Sequence, residues 1–467
     1  MVRHNVIIGG GPVATNAIET IREFDGGKSH ITLVCDEPAH SRMALPYWLA
    51  GQIPREHTMT ADDAYYGKLA VVPRIGARVT GIDPKANTLT LSDSSQLTFD
   101  NLLIATGSSP LGLPIPGTDL SGVQHLWTLA HTQSALDAVK GKARPRVVMI
   151  GSGFIGFIML NAMYKRGWQL TVVERESHVL PRMLNPDAAA IAADWLSAKG
   201  VALHCGTMAK QIRQSSDGAK VVELANGQSL EADLVIIATG VQPKVDFLKG
   251  SGITFEEGPE GGIPVNNRMQ TNFPHVYAGG DVAKGPVLFS DQPATHPIQP
   301  TAVDHGRVSG ANMAGQDVQY PGSLSMNILD VCGLQCASFG NWAEGGAEAM
   351  TISNPDGRVY RTLLWSGDRI TGVIFVGEAN DMGMLTDVGM VKGIMQTGMR
   401  LGSWKQFLSE NPFDIRRPYV ATGVAKKLVG TTLTGRPARP RQFQFRGAGP
   451  GAPVGSEHGV YVGSAGS

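Results

Sequence analysis

Residues 4–17 read His4-Asn5-Val6-Ile7-Ile8-Gly9-Gly10-Gly11-Pro12-Val13-Ala14-Thr15-Asn16-Ala17, and the rest of the chain is organised around them. Val6-Ile7-Ile8 is short, β-branched and wholly apolar, as suits a central strand of a parallel sheet. Gly9, Gly11 and Ala14 then keep the spacing G-x-G-x-x-G/A. The first glycine permits a tight turn, the second lets backbone N–H groups approach a pyrophosphate, and the small third residue lets helix and strand pack closely. A helix over about 15–24 would aim its N-terminal partial positive charge at that anion. Gly9, Gly11, Pro12, Val13 and Ala14 are therefore candidate nucleotide-binding residues.

A second strand, 31–35, ends in Asp36-Glu37. An acid at the end of the second strand of such a unit accepts hydrogen bonds from ribose hydroxyls, and the sequence leaves open which of the two does so. Cys35 reads as a small buried apolar group. Strands follow at about 71–80 and 88–91, with turn signals at Gly76 and Asp83-Pro84. Residues 101–104 read as a buried strand running into Ala105-Thr106-Gly107.

From about residue 145 the same syntax restarts. Val147-Val148-Met149-Ile150 precedes Gly151, Gly153 and Gly156, with Phe154 and Ile155 opening the next helix. A strand over 170–173 ends in Glu174, and 234–237 closes on Ala238-Thr239-Gly240. This is an internal duplication, the second unit inserted in the first. The first unit resumes at 271–281, where a short strand runs into Gly280-Asp281 and sets a carboxylate at the ligand-binding edge of the sheet. A helix from Gln299 to about Met313 follows. Pro300, Thr301 and Ala302 in its first turn suit an N-terminus aimed at a ligand.

The expected fold class is α/β: two Rossmann-like dinucleotide-binding domains, the second inserted in the first, plus a C-terminal α+β domain. The first covers 1–118 and 244–320, the second 119–243. Residues 321–425, with strand-like runs and a methionine-rich helix near 382–399, form the third, an adaptable apolar surface for a homodimer or hetero-complex. The basic, Gly- and Pro-rich stretch 426–467 reads as a disordered tail.

Composition narrows the function. Lys+Arg and Asp+Glu both number 40 in 467 residues, so no net field draws in nucleic acid or an anionic membrane. No apolar run approaches the roughly 20 residues that span a bilayer. The first strand begins too early for a signal peptide, and four scattered cysteines suit a reducing cytoplasm. If Val331-Cys332-Gly333-Leu334-Gln335-Cys336 were a strand, the two cysteine Cα atoms would lie about 13 Å apart, beyond the roughly 7 Å that a disulfide bridges. No further ligands cluster there, so no metal site is expected.

In order, Gly9-x-Gly11, Ala105-Thr106-Gly107, Gly151-x-Gly153-x-x-Gly156, Ala238-Thr239-Gly240 and Gly279-Gly280-Asp281 resemble the motifs of FAD-dependent pyridine nucleotide oxidoreductases related to glutathione reductase. The resemblance covers about residues 3–420. It implies FAD on the first unit and NAD(P)H on the second, with Asp281 on a ribityl hydroxyl and Pro300-Thr301-Ala302 facing the isoalloxazine ring. Relatives that reduce disulfides carry a cysteine pair near residue 42, and those acting on peroxide or coenzyme A disulfide carry one. Here the stretch reads Met43-Ala44-Leu45-Pro46, and a thioether forms no thiolate. What remains resembles the rubredoxin and ferredoxin reductase branch and the flavin domain of nitrite reductase. There Arg42 matches a lysine near the flavin, and so is the candidate catalytic residue, a cation for charge on the reduced ring.

Glu174 favours NADH, because a carboxylate there accepts the ribose 2′-hydroxyl and repels the 2′-phosphate of NADPH; Arg175 weakens that preference. Family members carry a glutamate where this chain has Ile158, which bears on nicotinamide orientation. The leading expectation is an enzyme passing electrons from NADH through FAD to an external acceptor: an iron–sulfur or rubredoxin-like protein, or a catalytic partner subunit. The alternatives are a flavin-bearing assembly or electron-conducting subunit that reacts slowly with NADH, and an NADH oxidase making hydrogen peroxide.

Overall fold

The apolar run after His4 forms β1 (His4–Ile8), and Pro12 starts α1 (Pro12–Asp25) three residues before the sequence reading placed it. A proline at the first helical position gives up an N–H that has no intrahelical partner anyway. The chain continues through β2 (His30–Cys35), the short helix α2 (Leu45–Leu49), β3 (Val71–Ile75) and β4 (Asn101–Ile104). The single strand expected over 71–80 is two strands, because Gly76 turns the chain at φ +80°. The computed structural model describes residues 2–343, 348–429 and 433–435.

The second unit contains β5 (Val123–Gln124), β6 (Arg146–Ile150), α3 (Phe154–Lys165), β7 (Gln169–Val173), β8 (Ala202–His204) and β9 (Leu234–Ile237). The first sheet is then completed by β10 (Val276–Ala278) and covered by α4 (Gln299–Met313). The two sheets are parallel, with orders β10-β4-β1-β2-β3 and β8-β7-β6-β9-β5. They correspond strand for strand, as a duplication requires.

The two turns correspond atom for atom. Gly9 and Gly151 both sit at φ +102°. A Cβ on Gly9 would lie 2.2 Å from the Ala105 carbonyl oxygen, and one on Gly151 2.4 Å from that of Ala238. Neither position accepts a side chain, so each Ala-Thr-Gly segment runs directly beneath its turn.

The third sheet is antiparallel: β11 (Met326–Val331), β12 (Leu334–Gly340), β13 (Glu348–Asn354), β14 (Val359–Ser366) and β15 (Arg369–Glu378), in the order β11-β12-β15-β14-β13. Its helix α5 (Met382–Gln396) buries Met384, Val391, Ile394 and Met395 against the sheet. A final described helix, α6 (Val424–Val429), runs into the stretch read as a tail; residues 430–432 and 436–467 lie outside the described residues. Cys332-Gly333 is a two-residue hairpin loop with φ of +52° and +96°, not part of one strand. Residues with positive φ at both positions match the twist of the flanking strands. All four cysteines are free.

Helix α4 packs on α1 through glycines. A Cβ on Gly306 would lie 2.4 Å from the Val13 carbonyl oxygen, and one on Gly310 2.6 Å from that of Ala17. Because overpacking costs about 1–3 kcal/mol, Gly310→Val should lower stability by about 3 kcal/mol in denaturant unfolding. Gly11→Ala, whose Cβ meets no protein atom within 4 Å, should leave the unfolding midpoint of the ligand-free chain unchanged.

Candidate functional site

Strand order in the first sheet reverses between β1 and β4, and the crevice outside the carboxyl ends of such strands is where open α/β sheets take ligands. A cleft of about 1200 Å³ opens there. Gly9, Gly11, Pro12 and Val13 line it from the β1 turn, and Cys35, Asp36 and Glu37 from the end of β2. Arg42 and Met43 come from the segment before α2. Ala105, Thr106 and Gly107 follow β4, and Gly280 and Asp281 follow β10.

Of the first-unit residues expected from the sequence, three lie elsewhere. Ala14 is fully buried behind the turn. Pro300 and Thr301 do not line the cleft; Ile298, Gln299 and Ala302 do. Helical spacing sets residues three and four apart on one face, which turns Pro300 and Thr301 away. Ile298 and Gln299 were within reach of the sequence, by extending the helix face back one turn. Trp127 and Lys244 carried no such signal, since only the fold brings them to the cleft.

The second set gathers at the matching edge of the other sheet. Gly151 and Gly156 pack on Ala238, while Thr239 and Gly240 bond to Leu111. Glu174 is buried and already engaged: Oε2 accepts the N–H of Ser152 at 2.8 Å and its hydroxyl at 2.6 Å, and Oε1 accepts the N–H of Glu176 at 2.9 Å. It thus braces the second glycine turn, and a ribose hydroxyl would use its remaining lone pairs. From this unit Ile155, Ile158 and Met159 reach into the first cleft.

Helices α1 and α3 both begin at a glycine, Gly11 and Gly153, with no side-chain cap. A Cβ on either would meet no protein atom within 4 Å. The missing side chains are therefore not demanded by packing. They leave helix N-termini bare toward open space, a cradle for phosphate. The residues present fit two dinucleotides.

Among the described residues Arg42 has no ion-pair partner. Its guanidinium lies 4.5 Å from the Trp127 ring centroid. Trp127 donates its indole N–H to the Ser108 carbonyl at 2.9 Å, and the Ser108 hydroxyl donates to Asp281 at 2.6 Å. At the end of β2, Asp36 is held by Arg78 at 3.0 Å, while Glu37 faces His40 at 3.9 Å. A smaller cavity of about 600 Å³ adjoins the cleft among α2, α3 and β11, sharing Met43, Pro46 and Ile158 with it.

Burial, with Asp36 and Glu37 beside it, pushes the Cys35 thiol up to about 12. Burial likewise raises Cys332 to about 12, and Cys336 further. Among the described residues no group of three or more His, Cys, Asp or Glu is placed to hold a metal ion. No described helix is long and apolar enough to cross a membrane.

A family model described as pyridine nucleotide-disulphide oxidoreductase matches residues 3–306. The NADH-dependent phenylglyoxylate dehydrogenase subunit epsilon of Aromatoleum evansii is 30% identical over 389 residues, which are 82% of this chain and 90% of that one. An NADH oxidase of Methanocaldococcus jannaschii is 27% identical over 399 residues, 78% of this chain and 88% of the relative. The solved structure of a NAD-dependent persulfide reductase from A. fulgidus aligns with a TM-score of 0.77 at 27% identity, covering 86% of this chain and 78% of that one.

Because only the thiolate is nucleophilic, iodoacetamide at about pH 8 should leave Cys35, Cys332 and Cys336 unmodified in the native chain and alkylate them after unfolding. Peptide mass mapping reads this out. Labelling of native Cys35 at the rate of a free thiol would put a reactive sulfur beside the cleft.

Proposed function

The chain belongs to the pyridine nucleotide-disulphide oxidoreductase family, and from that membership we propose that it binds FAD in the first cleft and NADH on the second glycine turn, passing electrons to an external acceptor. It is a flavin-family NAD(P)H oxidoreductase without a disulfide-forming cysteine pair. The observation that carries the reading is the reach of Ile155, Ile158 and Met159, from the second unit, into a cleft built by the first. A nucleotide on either turn thus has its reactive end directed to one shared space.

Bound FAD would supply a ring that takes up two electrons with a hydride and returns them to an acceptor. The chain aligns and shields that chemistry. The bare N-termini of α1 and α3 hold pyrophosphates. Asp281, fixed by Ser108, orients a ribityl hydroxyl. Arg42 holds positive charge over the cleft where negative charge develops, and its stack on Trp127 keeps it there without a neutralising carboxylate. Glu174 favours NADH over NADPH. With Met43 in place of a relay sulfur, the acceptor must approach the ring edge itself. Met43 and Tyr47, 43% and 53% exposed, offer it an apolar rim.

The acceptor we infer is an iron–sulfur or rubredoxin-like protein, or a catalytic partner subunit. The similarity to a protein named as subunit epsilon of an NADH-dependent dehydrogenase supports the last of these. Ile158 favours a second reading, a flavin-bearing subunit with slow NADH reactivity, because no carboxylate stands at that point of α3 to orient nicotinamide. The similarity to a protein named NADH oxidase keeps direct reaction with oxygen as the third.

Anaerobic mixing of the purified yellow protein with NADH should bleach the flavin absorbance within the time of one turnover. Bleaching slower than any plausible turnover would select the subunit reading, and oxygen uptake with peroxide release would select the oxidase. Arg42→Ala should slow turnover with an artificial acceptor about tenfold, the loss of roughly 1.4 kcal/mol of transition-state stabilisation, while Arg42→Lys retains most of it.

A further inference from the structure

His305 is 2% exposed on α4 and does not line the cleft. Its Nδ1 lies 3.2 Å from the backbone nitrogen of Gly280, whose N–H it accepts, and its Nε2 has no partner among the described residues. A ring that accepts through Nδ1 carries its proton on Nε2. Gly280 is buried, and the imidazole nitrogen is the partner that its N–H finds. The histidine also backs the preceding residue: a Cβ on Gly279 would lie 3.1 Å from His305 Cβ. On another side the ring packs edge-on to Tyr320, with centroids 4.8 Å apart.

We propose that His305, as the neutral Nε2–H tautomer, is a positioning residue that fixes the Gly279-Gly280-Asp281 turn for flavin binding; this rests on the FAD reading of the first cleft. The turn delivers Asp281 to the cleft, and besides its backbone bonds two side chains hold it. The Ser108 hydroxyl holds the carboxylate from the cleft side, and the imidazole holds the backbone from beneath. A charged imidazolium would set N–H against N–H and break the second bond.

Burial, with His296 nearby, moves the His305 imidazole down from 6.5 to about 3. The titratable groups facing it are His296, from the segment before α4, and Tyr320, from the segment after it. The unfolded chain takes up the proton near 6.5 and the folded one only near 3, so the stability held by this bond is full above 6.5 and declines as pH falls toward 3. In the folded chain the ring stays neutral until the pH approaches 3, so its bond to the turn persists at every pH above that.

The test uses the full chain and three measurements. Nitrogen-15 histidine spectra of the native protein should show His305 as the neutral Nε2–H tautomer at about pH 6; an Nδ1–H tautomer or a charged ring overturns the proposal. FAD titration of the stripped protein should show His305→Phe, which keeps ring volume but no acceptor, binding about tenfold more weakly than the parent, and His305→Asn, whose amide oxygen reaches the place of Nδ1, within about threefold. Phe binding as tightly as the parent, or Asn as weakly as Phe, overturns it. If Phe fails to fold, the Asn titration and the tautomer still decide. Failure of the parent to take up FAD sinks the flavin reading itself, which the parent titration alone reports.

Discussion

The structure depends on two near-collisions between backbones. At Gly9 and again at Gly151, a turn passes so close over a neighbouring carbonyl that a single methyl group would not fit. That approach fixes where each strand hands over to its helix, and so where the bare helix N-terminus points. The Ala-Thr-Gly segments, which look like incidental strand ends, are the floors on which these turns rest. Hydrogen bonding repeats with them: the N–H groups of Gly9 and Gly151 each donate at 2.8 Å to the next long strand of their own unit, at Val34 of β2 and Val173 of β7. A fold that copies its backbone to this degree needs only small differences in its side chains to distinguish two nucleotides.

Those differences lie in how each unit treats its acids. In the second unit Glu174 turns inward and braces the glycine turn through Ser152 and the Glu176 amide. In the first unit Asp36 and Glu37 stay at the cleft, and Asp36 is drawn outward by exposed Arg78. The first unit also carries a cation that the second lacks, Arg42 on Trp127. Trp127 itself comes from the second unit, between β5 and a helix beginning at Leu129, and through Ser108 it is bonded to the Asp281 turn. A guanidinium, an indole, a serine and an aspartate from four separate stretches thus set the polarity of one wall.

How much was legible in the sequence follows from the range of each interaction. The glycine spacings, the strand ends and the start of α4 at Gln299 are local, and local rules found them. Residue 158 stood out only through the resemblance, which implies a glutamate where this chain has isoleucine. Trp127 and Lys244 are cleft residues only because the two units meet there, and no local pattern assigns either side chain to the cleft. At Cys332 only the strand premise failed: Cys332-Gly333 between two apolar runs carries a hairpin signature, while both cysteines are free as the reading had them. Pro300 and Thr301 came from the resemblance and from their place in the first helical turn, and helical phase leaves Gln299 and Ala302, not these two, lining the cleft.

One feature of the core bears on motion. The apolar cluster beneath the second sheet does not stop at the unit's border: it takes in Leu45, Trp48 and Leu49 of α2 on one side, and Leu329, Cys332, Leu334 and Tyr360 of the antiparallel sheet on the other. Trp195 and Asn185 bond across the same seam, to the Cys332 carbonyl at 3.1 Å and the Tyr360 hydroxyl at 2.6 Å. A unit glued along two flanks cannot swing on its linkers as a door does. Access to the shared space then rests with the side chains at its rim and not with rotation of the whole unit.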